Sequence, residues 1–497
     1  GAGTKTFNAT VGTIGDNTGA SLIQAGSGAV TFANTLTTAQ GITQSGTGTI
    51  TYRDNVTVNG SGTPSAYQNS VVLDGLVYTS AGATTFGSDA TDALTLSGGD
   101  VELTGAGAYA MNALTNGAVG LTLSGNGTKT FADGAVIGGT TQPTGLTQAA
   151  GSGLLTMNDD ASIDGDITLN GSLTATDLTL SCTGSLAIGD AAADAFTVSA
   201  TGAVTIAGGP TSVTIVATTS LANSLTVTAG AITISGAVSG AQALTLTSGG
   251  PTALAAIGTA VTPLTSLTVD GTGALTLNGS VYAELMTVTP NVTLGASITL
   301  GDLVNGAADP DLDFAGTVGG AFDLTLAAAG ETRFQLAVGP LGDGTGASLI
   351  QAGSGAVTFA NTVTTAQGIT QSGSGTITYR GDVTVNGAGT PSDYQNTVIL
   401  DGLVYSSAGD TSFGSDGTDA LTLSGGDVTL GGAGAYTVNA AVGGLFDLTL
   451  SGAGNKGFNA AVGPLGDGTG ASLVQAGSGA VTFANTVTTA QGITQSG

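Results

Sequence analysis

Aspartates in glycine- and serine-rich segments are the side chains of this sequence whose type and spacing best suit chemistry. They occur in two copies of one pattern, GSDATDALTLSGGD and GSDGTDALTLSGGD, and the six carboxylates are Asp89, Asp92, Asp100, Asp416, Asp419 and Asp427. Calcium takes about six to eight oxygen ligands from carboxylates and turn carbonyls, so these aspartates are candidate calcium ligands. Acidic turns that keep a protein soluble have the same composition. We therefore expect a chain without a cofactor, with calcium as the one candidate ligand.

The sequence has little that indicates a catalytic site. The chain has no His, which excludes a Ser-His-Asp triad, a Cys-His pair and a His metal site. Glycan-processing enzymes need paired carboxylates, or a carboxylate beside Arg or Lys, and no unique cluster of that kind is evident. The six basic residues fall in repeated contexts, which predicts surface positions for Lys5, Arg53, Lys129, Arg333, Arg380 and Lys456. We expect a protein that is not an enzyme.

Composition narrows the fold and the partners. The 497 residues include 86 Gly, only 8% are charged, and 41% are hydrophobic, so the chain can bury a core of small side chains. Gly and Thr are poor helix formers, whereas Thr and Val suit strands. A net charge of −27 repels nucleic acid and anionic membranes. No run reaches the roughly 18 apolar residues of a membrane helix, so we expect no transmembrane segment. Cys182, the single cysteine, lies in a strand-like run and is expected to be buried.

Two nested repeats organise the chain. Residues 19–46 read GASLIQAGSGAVTFANTLTTAQGITQSG, and they recur with one or two aliphatic exchanges at 346–373 and 470–497. A second marker, GTKTF, ends at Phe7 and again at Phe131, 124 residues later. Its variants end at Phe334 and Phe458, which are also 124 residues apart. The larger repeat unit therefore has about 124 residues.

A shorter sequence repeat lies inside each unit. Triplets of apolar, Thr and apolar residues begin 19 and 23 residues apart at 225–227, 244–246 and 267–269. Alternation with period two places the aliphatic side chains on one face of a strand and Thr on the other. Coils of about 20 residues that stack their apolar faces indicate an all-β fold, a parallel β-helix (β-solenoid), which we expect to be right-handed.

A string of β-sandwich domains is the alternative fold, since short strands separated by turns fit it too. The solenoid is favoured because Trp is absent, Gly is abundant and the repeat of about 20 residues continues without linkers. We predict one continuous solenoid over 1–497. Its parts are a repeat unit at 1–126, a second unit with a diverged stretch at 127–329, a third at 330–453 and a partial fourth at 454–497.

The two ends of the sequence are copies of each other. Residues 1–46 align with residues 452–497 throughout, so the sequence starts and stops inside repeats without a distinct capping coil. Terminal coils of a free solenoid need polar caps. We therefore expect either a segment of a larger protein or a chain that stacks end to end with its own copies.

The repeats also have a family resemblance. Runs such as SGSGTITYRGDVTVNGAG at 372–389 and SLTVTAGAITISGAV at 224–238 resemble the strand repeats of bacterial autotransporters and filamentous-haemagglutinin-type adhesins. They are also similar to repeats of extracellular filament and sheath proteins. The resemblance covers the whole chain and rests on the style of the repeat. It implies a right-handed parallel β-helix, secretion and a role at the cell surface, and it carries no catalytic residues.

These observations lead to one main functional expectation. We expect a structural repeat protein of a bacterial extracellular filament, sheath or cell-surface fibre, located outside the cell or on its surface. The alternatives are the stalk of a secreted adhesin that mediates attachment or biofilm formation, and a calcium-stabilised surface rod. The expected partners are further copies of the chain, through self-association or end-to-end stacking, and also surface glycans or other cells.

Overall fold

The computed structural model describes residues 1–302 and 310–497, and the regular elements in these ranges are β-strands. No helix in the two described ranges is long and apolar enough to cross a membrane. Contacts divide the chain into two units, Gly1–Gly249 and Gly250–Gly497. The repeat boundaries predicted at residues 126, 329 and 453 remain predictions from the sequence.

The first unit contains strands β1 to β33. Strands β1 to β17 are β1 Lys5–Phe7, β2 Val11–Ile14, β3 Leu22–Gln24, β4 Val30–Phe32, β5 Leu36–Thr38, β6 Ile42–Gln44, β7 Ile50–Tyr52, β8 Val56–Val58, β9 Ser65–Tyr67, β10 Val71–Asp74, β11 Val77–Ser80, β12 Thr84–Phe86, β13 Ala93–Ser97, β14 Val101–Thr104, β15 Tyr109–Met111, β16 Leu114–Asn116 and β17 Gly120–Leu123. Strands β18 to β33 are β18 Lys129–Phe131, β19 Gly145–Gln148, β20 Leu155–Met157, β21 Ala161–Ile163, β22 Asp166–Leu169, β23 Leu173–Ala175, β24 Leu178–Cys182, β25 Ser185–Ile188, β26 Ala195–Val198, β27 Val204–Ala207, β28 Ser212–Ile215, β29 Thr218–Leu221, β30 Leu225–Ala229, β31 Ile232–Ile234, β32 Val238–Ser239 and β33 Ala243–Ser248.

The second unit contains strands β34 to β66. Strands β34 to β50 are β34 Thr252–Leu254, β35 Ser266–Gly271, β36 Leu275–Leu277, β37 Val281–Tyr282, β38 Met286–Val288, β39 Val292–Leu294, β40 Ile298–Gly301, β41 Leu312–Phe314, β42 Val318–Gly320, β43 Leu324–Leu326, β44 Thr332–Phe334, β45 Val338–Leu341, β46 Leu349–Gln351, β47 Val357–Phe359, β48 Val363–Thr365, β49 Ile369–Gln371 and β50 Ile377–Tyr379. Strands β51 to β66 are β51 Val383–Val385, β52 Ser392–Tyr394, β53 Val398–Asp401, β54 Val404–Ser407, β55 Thr411–Phe413, β56 Ala420–Ser424, β57 Val428–Gly431, β58 Tyr436–Val438, β59 Ala441–Gly444, β60 Leu448–Leu450, β61 Lys456–Phe458, β62 Val462–Leu465, β63 Leu473–Gln475, β64 Val481–Phe483, β65 Val487–Thr489 and β66 Ile493–Gln495.

Strand pairing in each unit follows one rule: a strand lies parallel to its counterpart one coil earlier and one coil later. Strand β7 pairs with β4 on one side and β10 on the other, and β50 pairs in the same way with β47 and β53. The chain makes about 23 turns with about 21 residues in each coil. The predicted parallel β-solenoid and its coil length are thus confirmed, and right-handedness stays a prediction.

The period-two pattern decides which side chains form the core. In β7, Ile50 and Tyr52 are buried and Thr51 between them faces outward; the same alternation recurs along both units. The β-branched Thr suits the outer, half-exposed side of a pleated strand, and the aliphatic partners remove apolar surface from water. Cys182 behaves as predicted, since it is buried at the end of β24.

A column of aromatic side chains runs through the core of the first unit. The rings of Phe7 and Phe32 stack at 4.8 Å between centroids, and Phe32 stacks on Tyr52 at 5.4 Å. The Tyr67 hydroxyl lies 3.0 Å from the hydroxyls of both Tyr52 and Tyr78, which joins three buried phenols in one chain of hydrogen bonds. Ring pairs of this kind stabilise a core by about 0.5–1.5 kcal/mol beyond their buried area.

The second unit repeats this arrangement. Phe334 stacks on Phe359 at 5.1 Å and Phe359 on Tyr379 at 5.2 Å. The Tyr394 hydroxyl then bonds those of Tyr379 and Tyr405, at 3.0 and 3.1 Å. Burial raises the pKa of the Tyr394 phenol well above its ordinary value, so the network stays uncharged. The near-identical sequence repeats therefore build near-identical cores.

Glycines line the corners where one coil passes closely over the next. A Cβ placed on Gly107 would lie 1.9 Å from the carbonyl oxygen of Gly82, and one on Gly127 would lie 1.9 Å from that of Gly107. In the second unit, a Cβ on Gly434 would lie 1.8 Å from the Gly409 carbonyl oxygen. The abundance of Gly thus follows from backbone-to-backbone stacking at the corners.

Candidate functional site

Two of the three candidate aspartates of the first unit serve as local turn caps. Asp89 Oδ1 accepts hydrogen bonds from the Thr91 N–H at 2.8 Å and the Thr91 hydroxyl at 2.6 Å. Asp92 Oδ2 accepts from the Ser88 N–H at 2.8 Å and the Ser88 hydroxyl at 2.9 Å. Asp100 is different, since its Oδ1 accepts from the backbone N–H of Gly120, which belongs to the next coil, at 2.7 Å.

The second copy has the same geometry. Asp416 Oδ1 accepts from the N–H and the hydroxyl of Thr418, at 2.7 and 2.6 Å. Asp419 Oδ2 accepts from the N–H and the hydroxyl of Ser415, both at 2.8 Å. Asp427 Oδ1 accepts from the backbone N–H of Asp447 at 3.0 Å. Hydrogen bonds from Thr418 lower the pKa of Asp416, as those from Thr91 lower the pKa of Asp89.

The structure brings two members of each trio together and keeps the third apart. Asp89 and Asp92 lie in one turn, whereas Asp100 lies beyond the five-residue strand β13. A strand of that length spans roughly 16 Å. Within residues 1–302 and 310–497, no group of three or more Asp, Glu, Cys or His side chains has an arrangement that could hold a metal ion. The calcium site stays a prediction from the sequence. The observed bonds assign Asp89, Asp92, Asp416 and Asp419 to their own turns, and Asp100 and Asp427 to the neighbouring coil.

Chelation tests this assignment. Because Asp89 and Asp92 already satisfy turn donors of their own chain, we expect the melting temperature to be the same in EDTA and in excess calcium chloride. Differential scanning calorimetry of the purified chain in the two buffers measures this. A melting temperature that rises with calcium, and no longer does so in an Asp89→Asn, Asp416→Asn double variant, would revive the calcium-stabilised rod.

Two of the six basic residues correct the prediction that all of them lie at the surface. Lys129 and Lys456 are buried, because period two places each on the inner face of its strand beside a phenylalanine. The Lys129 Nζ donates to the Ser124 carbonyl and, at 2.7 Å, to that of Gly125. The Lys456 Nζ donates to the Gly454 carbonyl at 2.6 Å. Burial lowers the pKa of both ammonium groups.

Lys5, Arg53 and Arg380 are exposed, as predicted, whereas Arg333 is half-buried beside Asp313. Arg53 and Arg380 lie at the surface and pair loosely with Asp74 and Asp401, at 3.6 and 3.5 Å. Exposed pairs of this kind contribute little, about 0–1 kcal/mol.

Asp302 is a buried carboxyl group that the sequence analysis missed. It is only 4% exposed and directly follows strand β40. Its Oδ1 accepts from the backbone N–H groups of Ala329 and Gly330, at 2.5 and 3.3 Å. Burial raises its pKa to about 6, and the negative charges of Asp311 and Glu284 add to the shift. The alternation of inward and outward residues predicts this burial, because Asp302 lies two residues after the buried Leu300 and four after the buried Ile298.

The raised pKa of Asp302 predicts a pH-dependent stability. The folded chain favours the protonated acid, so the stabilisation is complete below the ordinary pKa of 3.8 and is lost as the pH rises through about 6. Asn at this position stays neutral and keeps an acceptor for the two N–H groups. We expect Asp302→Asn to be more stable than the natural chain at neutral pH, by on the order of 1–2 kcal/mol, and to match it below pH ~4. Urea unfolding across this range measures the difference, and a difference that does not vary with pH would contradict the assignment.

No protein-family model, curated protein or solved structure matches this chain.

Proposed function

We propose that this chain is a structural repeat protein of a bacterial extracellular filament, sheath or cell-surface fibre, and that it performs no catalysis. The observation that carries the proposal is the coil-on-coil pairing of both units. Interior strands such as β7 and β50 pair in parallel on both sides, so backbone hydrogen bonds join each coil to the next. A pull along the stacking direction is thereby shared by all the strands of a coil.

The outer surface supports a structural role. Outward positions carry mainly Thr, as in β4, β7 and β8, and the net charge of −27 keeps such a surface soluble. The described residues with large exposed apolar side chains, such as Val261 and Leu445, are few for a chain of this size. Their small number argues against a large apolar binding patch.

Self-association would use the open edges of the solenoid. Lys5 N–H donates to the Ala29 carbonyl, and the Phe7 carbonyl accepts from the Ala33 N–H, both at 2.9 Å. Since alternate residues of a parallel strand bond to opposite sides, the N–H and C=O of Thr6 face the open edge of β1. An open parallel edge accepts a further coil, and we propose that another copy of the chain supplies it.

Electron microscopy of the purified chain tests the proposal. We expect particles much longer than one chain, whose length grows with protein concentration. The Thr6→Pro variant should shorten them, because it removes the free N–H without touching the bonds from β1 to β4, whereas Thr6→Val keeps the N–H and should assemble normally. Single short particles at every concentration would overturn the filament. If such particles adhered to cells, the adhesin stalk would take its place.

A further inference from the structure

We propose that a groove on the second unit binds a neutral oligosaccharide. The groove has a volume of about 410 Å³, within the usual range of ligand pockets. We call it the amide groove. Its polar lining consists of Ser415, Asp416, Asn439, Asn459 and Asn485.

Three successive coils supply the amides. Asn439 follows strand β58, Asn459 follows β61, and Asn485 comes two residues after β64. These strands pair in register, so the amides are spaced by about one coil, roughly 4.8 Å. The Asn459 Nδ2 donates to Asn439 Oδ1 at 2.8 Å, and the Asn439 Nδ2 donates to the Gly414 carbonyl at 3.1 Å. The backbone therefore fixes where the amide row lies.

The bonds within the groove leave both kinds of hydrogen-bonding group available. Among the described residues, no donor reaches Asn459 Oδ1 and no acceptor reaches Asn485 Nδ2. The Asn485 Oδ1 is used by the N–H of Thr486 at 2.8 Å, which holds the side chain in place. Asp416 uses Oδ1 for the N–H and hydroxyl of Thr418, and no donor among the described residues reaches its Oδ2. The groove thus presents unused acceptors at Asn459 and Asp416 and an unused donor at Asn485.

The rest of the lining indicates the ligand class. Half-buried Ala441, Ala460 and Ala461 form an apolar floor beside the amides. Sugar hydroxyls both donate and accept, and the C–H faces of a sugar ring suit methyl groups, so a saccharide matches both parts of the lining. The net charge of −27 disfavours an anionic glycan. A neutral oligosaccharide is the ligand that fits.

The first unit provides a natural comparison. In the matching repeat, Asn112 corresponds to Asn439 and donates to the Gly87 carbonyl at 3.3 Å. However, Ala132 stands where the second unit has Asn459. The strand register places Asp159 where the second unit has Asn485, since each lies two residues after the strand of the third coil. Asp159 Oδ2 accepts from the Gly134 N–H at 2.7 Å, so this position offers no donor. We therefore expect one binding site per chain, on the second unit.

Isothermal titration of the 497-residue chain with cellohexaose, maltohexaose and chitohexaose tests the proposal. We expect one of them to bind saturably with a stoichiometry of one and a Kd on the order of 1 mM, as suits an open groove with few hydrogen bonds. Asn485→Asp, which copies the first unit, and Asn459→Ala should each weaken binding about fivefold, the effect of one hydrogen bond. Both side chains are exposed, so the thermal melt should not change.

A gain of function provides the second arm. Ala132→Asn together with Asp159→Asn should give the first unit a matching amide row and raise the stoichiometry to two. The proposal is overturned if none of the three oligosaccharides binds saturably, or if Asn485→Asp and Asn459→Ala leave the affinity unchanged. Filament length is measured separately by microscopy, so loss of this binding site would leave the structural role standing.

Discussion

Replacement of Tyr78 by Ala is expected to lower the free energy of unfolding of the first unit by about 3–5 kcal/mol, the usual cost of emptying a buried aromatic site. Tyr78 is fully buried, and its ring contacts those of Tyr52, Tyr67, Phe86 and Tyr109 at centroid distances between 5.6 and 6.5 Å. The change also removes a hydroxyl from the phenol network. Because neighbouring coils depend on one another for their cores, the loss should extend beyond its own coil.

Hydrogen exchange followed by mass spectrometry measures this effect locally. Amides of β7 to β15 should lose protection, and the second unit should not change. Tyr282→Ala is the matched control, since that tyrosine lies only half-buried on β37. Tyr67→Phe isolates the hydroxyl, which bonds two partners, and should cost about 1–3 kcal/mol. Equal losses for Tyr78→Ala and Tyr282→Ala would contradict an aromatic core.

Replacement of Gly434 by Ala is expected to destabilise the second unit by about 1–3 kcal/mol, the range for overpacking. Its Cβ would lie 1.8 Å from the carbonyl oxygen of Gly409, and neither backbone can move without opening the corner. The φ angle of Gly434 is one that other residues adopt, so the effect isolates the close approach between coils.

Gly443→Ala is the matched control for the corner. A Cβ at Gly443 meets no atom within 4 Å, and its φ is also an ordinary one, so Ala should be neutral or slightly stabilising there. Thermal melts of the two variants beside the natural chain decide the matter. If both substitutions left the melting temperature unchanged, the corners would not be as tightly stacked as the structure has them.

The fold could be predicted because two periods in the sequence are independent of each other. Period two separates Thr51 from its buried neighbours Ile50 and Tyr52, and the beat of about 20 residues places Val30 over Ile50. Period two predicts which side chains of a strand point inward, and the repeat of about 20 residues predicts which strands lie beside each other. Together they leave a parallel solenoid as the consistent fold.

The predicted positions of two charged residues are wrong, and the burial of a third was not predicted, because charge received more weight than the alternation of inward and outward side chains along a strand. The sequence predicts surface positions for Lys129 and Lys456. Both side chains instead point inward, because backbone carbonyls at the corners accept hydrogen bonds from their ammonium groups. Asp302 was missed for a similar reason, since a carboxyl group can be buried when backbone N–H groups bond to it. For all three residues, the alternation of inward and outward side chains predicts the observed burial.

The aspartate trios show a second limit of sequence reasoning. Asp89, Asp92 and Asp100 were grouped because they lie close together along the chain. In a solenoid, the neighbour of Asp100 is Gly120, 20 residues later, and not Asp92, eight residues earlier. The phenol network of Tyr52, Tyr67 and Tyr78 was hidden for the same reason, since it joins adjacent coils and sheets.

We propose that this chain forms a stack of β-coils that continues from one copy to the next. X-ray fibre diffraction from aligned assemblies of the purified chain tests it most directly. A reflection near 4.8 Å along the fibre axis is predicted, because the coils would then stack in the direction of the filament. A 4.8 Å reflection perpendicular to that axis, or none at all, would contradict the account.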